Sequence, residues 1–436
     1  MLEFPKNPWL DPSEQKELVS RLLEYQLIKF SNERDLPLKS GGKTDVYINL
    51  RDARNSPQAI RIIARAFENP LRRLSPDRFI EVPDAVSCFA GPLSIATNIP
   101  YITIRESAKA GRVAKASSIG YAAFGSSAVI LDDVVTDGAS KIIPFTEAKT
   151  MGLRVEGLVV LVDRQQGWKE KFAENNVDLP VWPGMTLHDV RKLLVSDLGV
   201  MQRCSAAAED KNCIIVALDG RNWEETLPLV DRLRPSGAIL KVNDLLFGRG
   251  IERLIPDLHV YGRVMADLKN HDIKNTIENT CRWLRGNPPW AVTVHASGGE
   301  EMVSAAVNAL KGTQTKVLAV TVLTSINPKT CEEIYSRLPI EQVRKLAKIA
   351  SDAGVHGFVC SPEEAGELKT AYPGKLIVTP GIRSAGVSVN DQSRVSTPRG
   401  AKDNGADFIV MGRQILEAAD PVAEMNRVLT EELGIA

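Results

Sequence analysis

No apolar run in the sequence approaches the ~18 residues that a membrane-spanning helix needs. The chain opens MLEFPKNPWLDPSEQ, with acids and prolines where a signal peptide would carry its apolar stretch, so a cytosolic protein with no membrane partner is expected. An excess of one charge is also lacking: 54 Lys and Arg stand against 54 Asp and Glu, which leaves no basic footprint for a nucleic acid. The six cysteines (Cys88, Cys204, Cys213, Cys281, Cys331, Cys360) form no CxxC pair and no Cys/His spacing of the kind that holds zinc, so they read as buried thiols. What remains is an ordinary globular composition, 44% apolar and 25% charged, over 436 residues. A usual domain has ~100–200 residues, so two domains are expected, each long enough to bury a core.

Along the chain, residues 13–30 carry apolar side chains at helical spacing, and a Lys- and Gly-rich turn follows at 38–43. β-type runs at 101–105, 128–132 and 157–162 then alternate with helical stretches, the rhythm of a doubly wound parallel sheet. The stretch MQRCSAAAEDKN (201–212) is small, polar and free of β-type runs. It divides the chain into a domain at 1–203, a linker at 204–211 and a domain at 212–436. Beyond it come IIVALD (214–219), AILKV (238–242), RVMADLK (263–269), AVTVH (291–295), VLAVTVL (317–323), GFVCS (357–361), LIVTPG (376–381) and ADFIVMG (406–412), with helical segments between them. Eight such runs predict a closed (β/α)8 barrel, whose active residues stand at the strand C-termini.

Charged residues close several of those runs: Asp219 after the first, Lys241 near the end of the second, Asp267 and Lys269 at the end of the third. Strand period two places Asp267 and Lys269 on one face. Buried charges persist mainly when paired or functional, so these residues and Asp272 are either a salt-bridged rim or a catalytic group. The pattern DLKNHDIKNT (267–276) resembles the signature of orotidine 5′-phosphate decarboxylases. ALD at 217–219, Lys241, TVHASGG (293–299), VTVLTS (320–325), CSPEE (360–364), TPGIR (379–383), DQ at 391–392 and MGR at 411–413 follow in that family's order. The resemblance implies cofactor-free decarboxylation of orotidine 5′-monophosphate to uridine 5′-monophosphate in a homodimer or larger homo-oligomer. Lys241, Asp267 and Lys269 would act from one subunit and Asp272 from its neighbour. Lys269 would protonate C6 as carbon dioxide leaves, with Asp267 beside the substrate carboxylate. Asp219 would hold ribose hydroxyls, Thr276 would contact substrate and Ser325 would read the pyrimidine. Arg383, Gln392, Gly412 and Arg413 would hold the phosphate. No histidine is needed, so His271 and His295 are not candidates for catalysis, and His271 inside the signature reads as structural.

In the first half, AVILDDVVTDGASK (128–141) reads as a strand, a small-residue loop and a helix start, an anion cradle that is not a Walker loop because GxxxxGK is absent. The acids Asp132 and Asp133 before it suit ribose hydroxyls and a magnesium-bound sugar. This pattern resembles the phosphoribosyl pyrophosphate motif of type I phosphoribosyltransferases, and LKSGGKTDVYINLR (38–51) and LVDRQQGWKEK (161–171) resemble segments of orotate phosphoribosyltransferases in particular. The resemblance implies Thr136, Asp137, Gly138, Ala139 and Ser140 around a 5′-phosphate, Lys39 near pyrophosphate and orotate, Arg164 on the orotate carboxylate, and Mg2+ as counter-ion. IRESAKAGR (104–112) would supply Arg105 and Lys109; it has Glu106 where that family has a lysine and Gly111 where it has a histidine. The two halves together are similar to bifunctional uridine 5′-monophosphate synthases. The alternatives are a decarboxylase whose first half is a scaffold, or one whose first half binds phosphoribosyl pyrophosphate without catalysis.

Overall fold

A computed structural model describes residues 8–38, 43–104, 118–387 and 396–435. Lys39, Arg105, Lys109 and Gln392 lie outside the described residues. The chain divides into two compact units, Met1–Met201 and Gln202–Ala436. Among the described residues, no helix is long and apolar enough to cross a membrane.

In the first unit, the helix Pro12–Glu24 starts at a capping box formed by Asp11 and Glu14. The helical spacing expected through residue 30 stops early. Gln26 takes a left-handed conformation (φ 56°), and Ile28–Phe30 becomes a strand paired antiparallel with Val46–Ile48. A turn and a short buried apolar run had mimicked a continuing helical period. The main sheet has six strands among the described residues, in the order Val181–Thr186, Arg154–Asp163, Ser127–Val135, Arg78–Glu81, Tyr101–Ile104, Ser118–Ile119; all neighbours are parallel except the last pair. The sheet is apolar on both faces because helices cover both. Val129 and Leu131 pack into one cluster with Phe67 and Phe89, while Ala128 and Ile130 point into the other with Phe145.

The second unit is a closed barrel of eight parallel strands: β1 Ile214–Ala217, β2 Ile239–Val242, β3 Arg263–Asn270, β4 Ala291–His295, β5 Lys316–Val320, β6 Gly357–Val359, β7 Leu376–Thr379 and β8 Phe408–Met411. It closes where Ile215 of β1 pairs with Val410 of β8. Ile215, Ile239, Met265, Ala291, Leu318, Val378 and Val410 fill its interior, making it a packed core rather than a pore.

The stretch expected to be a linker, 204–211, belongs to this unit. Ala206–Lys211 is a helix capped by Ser205 and laid across the N-terminal ends of the first strands. Arg263, the first residue of β3, donates from Nη2 to the carbonyls of Glu209 (2.7 Å), Gly237 (3.1 Å) and Asn212 (3.4 Å). The buried Arg234 donates to Gln202 O at 3.0 Å. Six residues are too few to display a helical period. All six cysteines are free, and Cys88 and Cys213 are only half-buried, because each stands at an element boundary rather than inside a core.

Candidate active site

The C-terminal ends of β1, β2 and β3 bring four charged side chains into one row. Lys241 Nζ lies 2.6 Å from Asp219 Oδ2 and 3.1 Å from Asp267 Oδ2, and Lys269 Nζ lies 2.6 Å from the same Asp267 oxygen. Lys241 and Asp267 are buried, while the side chains of Lys269 and Asp219 are 36% and 43% exposed. The two ends of the row are therefore part-exposed and its middle is buried. Burial opposes the charge on Lys241, but the carboxylates of Asp267 and Asp219 outweigh it and hold the ammonium above the usual lysine range. Burial likewise opposes the charge on Asp267, and Lys241 and Lys269 together hold its carboxyl below the usual range.

Lys269 does not reach the row through a regular pleat, as strand period two predicts. The ladder between β3 and β4 slips between Ala266 and Asn270, and Lys269 takes a left-handed conformation (φ 48°). A β-bulge of this kind redirects a side chain at a strand end. Two neighbours brace it: Lys269 N–H donates to Thr293 Oγ1 at 2.9 Å, and Asn243 Nδ2 donates to the carbonyl of Asp267 at 2.6 Å. The row opens into a cavity of about 540 Å³, whose wall also includes Ser325, Arg383, Gly412 and Arg413. Charged side chains at one end and two guanidiniums beyond β7 and β8 at the other make a cavity suited to an anionic ligand.

A sequence profile described as the orotidine 5′-phosphate decarboxylase / HUMPS family matches residues 212–428. The orotidine 5′-phosphate decarboxylase of Nitrosospira multiformis is 40% identical over 218 residues, covering 49% of this chain and 91% of that protein. That of Pseudomonas aeruginosa is 41% identical over 223 residues, covering 50% of this chain and 96% of its own. The chain belongs to the orotidine 5′-phosphate decarboxylase / HUMPS family. A crystal structure of the orotidine 5′-phosphate decarboxylase from Lactobacillus acidophilus is similar at 36% identity, with a TM-score of 0.44, covering 50% of this chain and 97% of that one.

Within the decarboxylase/HUMPS domain, two expected residues stand apart from the cavity. Asp272 is exposed and its Oδ1 accepts from Ile273 N–H at 2.7 Å; Thr276 is exposed on the helix Lys274–Leu284. The rings of His271 and His295 lie 5.5 Å apart beside the Lys269 bulge. Thr293 and Asn243 were not among the expected residues. Thr293 carried two signals, a hydroxyl in the middle of an apolar run and the first place in the stretch TVHASGG (293–299).

In the first unit the expected strand, loop and helix are present: Ser127–Val135, then 136–138, then Ala139–Thr150, with Gly138 at φ 76° before the helix. Ala139 N–H donates to Asp137 Oδ1 at 3.2 Å. Asp132 is fully buried and forms an ion pair with Lys141, whose Nζ also donates to Ser140 Oγ at 2.9 Å. Arg164 is buried at the end of the adjoining strand, donating to Thr44 Oγ1 and to Gln166 Oε1, both at 3.1 Å. Arg191 grips Asp45 through two bonds of 2.8 and 2.7 Å. The segment containing Thr44 and Asp45 is thereby held against the strand end that carries Arg164.

Proposed function

We propose that the barrel decarboxylates orotidine 5′-monophosphate to uridine 5′-monophosphate without a cofactor. The observation that carries this reading is the row Asp219, Lys241, Asp267, Lys269, with one carboxylate shared by two ammonium groups. The bond from C6 to the carboxylate breaks, carbon dioxide leaves, the electron pair remains at C6, and Lys269 delivers a proton to it. Before that proton moves, the Lys269 ammonium stabilises the charge growing at C6, and Asp267 disfavours the substrate's own carboxylate. Asp219 takes ribose hydroxyls, Ser325 meets the pyrimidine, and Arg383 and Arg413 with Gly412 and Gln392 hold the phosphate. Phosphate binding far from C6 supplies energy that lowers the barrier there. Asp272 and Thr276, exposed in a single chain, are assigned to the site of a neighbouring subunit in a homodimer; the adjacent Ile273 side chain, 71% exposed, supports burial there. Replacing Lys269 with Ala should abolish uridine 5′-monophosphate formation by many powers of ten, measured by the loss of orotidine 5′-monophosphate absorbance, with the fold intact by circular dichroism. A Lys269→Ala variant with wild-type rate would overturn the assignment.

We infer that the first unit is an orotate phosphoribosyltransferase, so that orotate and phosphoribosyl pyrophosphate yield the substrate of the barrel. The strand, Gly138 turn and helix start support a phosphate at 136–140. Magnesium would enter with the pyrophosphate as its counter-ion, beside Asp133 and the Asp132–Lys141 ion pair. That same ion pair favours a second reading, binding of phosphoribosyl pyrophosphate without transfer, since it occupies one of the two ribose acids. Orotate, phosphoribosyl pyrophosphate and Mg2+ incubated with the protein decide between them. Pyrophosphate release at the rate of orotate consumption supports transfer; altered decarboxylation kinetics with orotate unconsumed support binding alone.

A further inference from the structure

Thr293 is fully buried in β4, where a hydroxyl needs partners, and both of its hydrogen-bonding capacities are used at the reacting end of the barrel. Its Oγ1 donates to Asp267 Oδ1 at 2.9 Å and accepts the backbone N–H of Lys269, also at 2.9 Å. Asp267 Oδ2 is the oxygen shared by Lys241 and Lys269, so Thr293 holds the opposite edge of the same carboxylate. The Lys269 backbone is left-handed, a conformation that a lysine keeps only where surroundings impose it, and the bond to Thr293 is one such constraint. One hydroxyl thus sets both the rotation of the acid and the position from which the lysine side chain departs.

The geometry points to Thr293 as a positioning residue of the decarboxylation site, aligning Asp267 and Lys269 with each other before substrate arrives. This inference rests on the decarboxylase reading. Thr293 lines no part of the cavity, and the phosphate and pyrimidine contacts assigned above do not involve it. Its loss should therefore appear in kcat and leave KM nearly unchanged.

Thr293→Val keeps the shape and removes both bonds; Thr293→Ser keeps both bonds. A misplacement of about 1 Å costs about 100-fold in rate, so kcat of the full chain should fall about 100-fold in Thr293→Val, with KM within a factor of about three and near-complete recovery in Thr293→Ser. Where the valine variant does not fold, Thr293→Cys against Thr293→Ser makes the same comparison, thiol against hydroxyl. Equal kcat in the two members of either pair overturns the inference while leaving the decarboxylase reading intact.

A second readout needs no turnover. Asp267 is faced by Lys241 from β2, Lys269 from its own strand, Thr293 and His295 from β4, and Asp219 beyond Lys241. The Thr293 bond helps hold the Asp267 carboxyl low, so removing it alone should raise the Asp267 titration midpoint, followed by carboxyl carbon-13 NMR. An unmoved midpoint in Thr293→Val overturns the inference even if the protein decarboxylates nothing. Absence of decarboxylation by the unaltered chain, with the midpoint shifted as expected, overturns the functional reading and the catalytic part of the inference with it, leaving Thr293 as a residue that only places Asp267.

Discussion

Asp267 keeps its charge inside the barrel because two ammonium groups face it, and the same is true of Lys241 between two carboxylates. Removing one partner leaves the other charge buried, which costs ~3–5 kcal/mol in buried pairs generally. Lys241→Met leaves Asp267 with Lys269 as its remaining ammonium partner, so it should lower the stability of the barrel by less, ~1–3 kcal/mol, read from its urea midpoint; a midpoint within error of wild type would show that Lys269 alone compensates the carboxylate. The pH dependence has a defined sign. Asp267 has a lowered carboxyl in the folded state, so its contribution is complete above the unfolded value of ~3.9 and is lost as pH falls through the folded value. Lys241 has a raised ammonium, so its contribution is complete below ~10.4 and is lost as pH rises beyond that. The network therefore stabilises across the whole range between, and the urea midpoint of wild type minus Lys241→Met should be flat from pH ~5 to ~9. The charges of this row were legible as residues closing apolar runs. The role of Thr293 was not, although it heads the stretch TVHASGG, since a threonine inside a strand has an ordinary reading as a β-former. Nor was the left-handed turn at Lys269, because nothing in Asp-Leu-Lys-Asn marks a bulge.

At the scale of elements, all eight barrel strands coincide with the apolar runs read from the sequence, because strands covered on both faces show as continuous runs. The errors fall on short pieces. Residues 27–30 continued a helical spacing by accident, and the helix Ala206–Lys211 had too few residues to declare itself. That helix is held by close packing, which gives it a sharp test at Gly237. Gly237 has φ 72°, and a Cβ there would lie 2.5 Å from the Ala208 backbone. Gly237→Ala must either shift the Ala206–Lys211 helix or strain its own turn, so a loss of ~2–3 kcal/mol is expected, the conformational penalty of ~1 kcal/mol plus the steric one. Hydrogen exchange should show the loss at Glu209 and Asn212, whose carbonyls Arg263 engages, before it shows at the strands. Uniform exchange across β1 to β3 would mean that the helix is no separate lid on that end.

At the scale of the molecule, each unit closes over apolar clusters drawn from its own residues: Trp9 to Met201 in the first, Ile215 to Val410 in the second. The two clusters on the faces of the sheet share Val82 with each other but share no residue with the one inside the barrel, so two cooperative transitions are expected on heating the intact chain. Ligands identify which transition belongs to which unit. Anything that binds only the folded form of a unit stabilises it by RT ln(1 + [L]/Kd), ~2.7 kcal/mol at a hundredfold excess over Kd. Uridine 5′-monophosphate, the proposed product of the barrel, should raise one midpoint and leave the other in place. Phosphoribosyl pyrophosphate with Mg2+ should raise the remaining one, whether or not orotate is then consumed, because both readings of the first unit require that it bind. Lys141→Leu removes the counter-ion of the buried Asp132, leaving that charge uncompensated, so the first unit's midpoint should fall while the uridine 5′-monophosphate shift of the barrel persists. If phosphoribosyl pyrophosphate moves neither midpoint at millimolar concentration, both readings of the first unit fall together and the decarboxylase assignment stands alone; if uridine 5′-monophosphate moves the transition that Lys141→Leu weakens, the nucleotide binds outside the barrel.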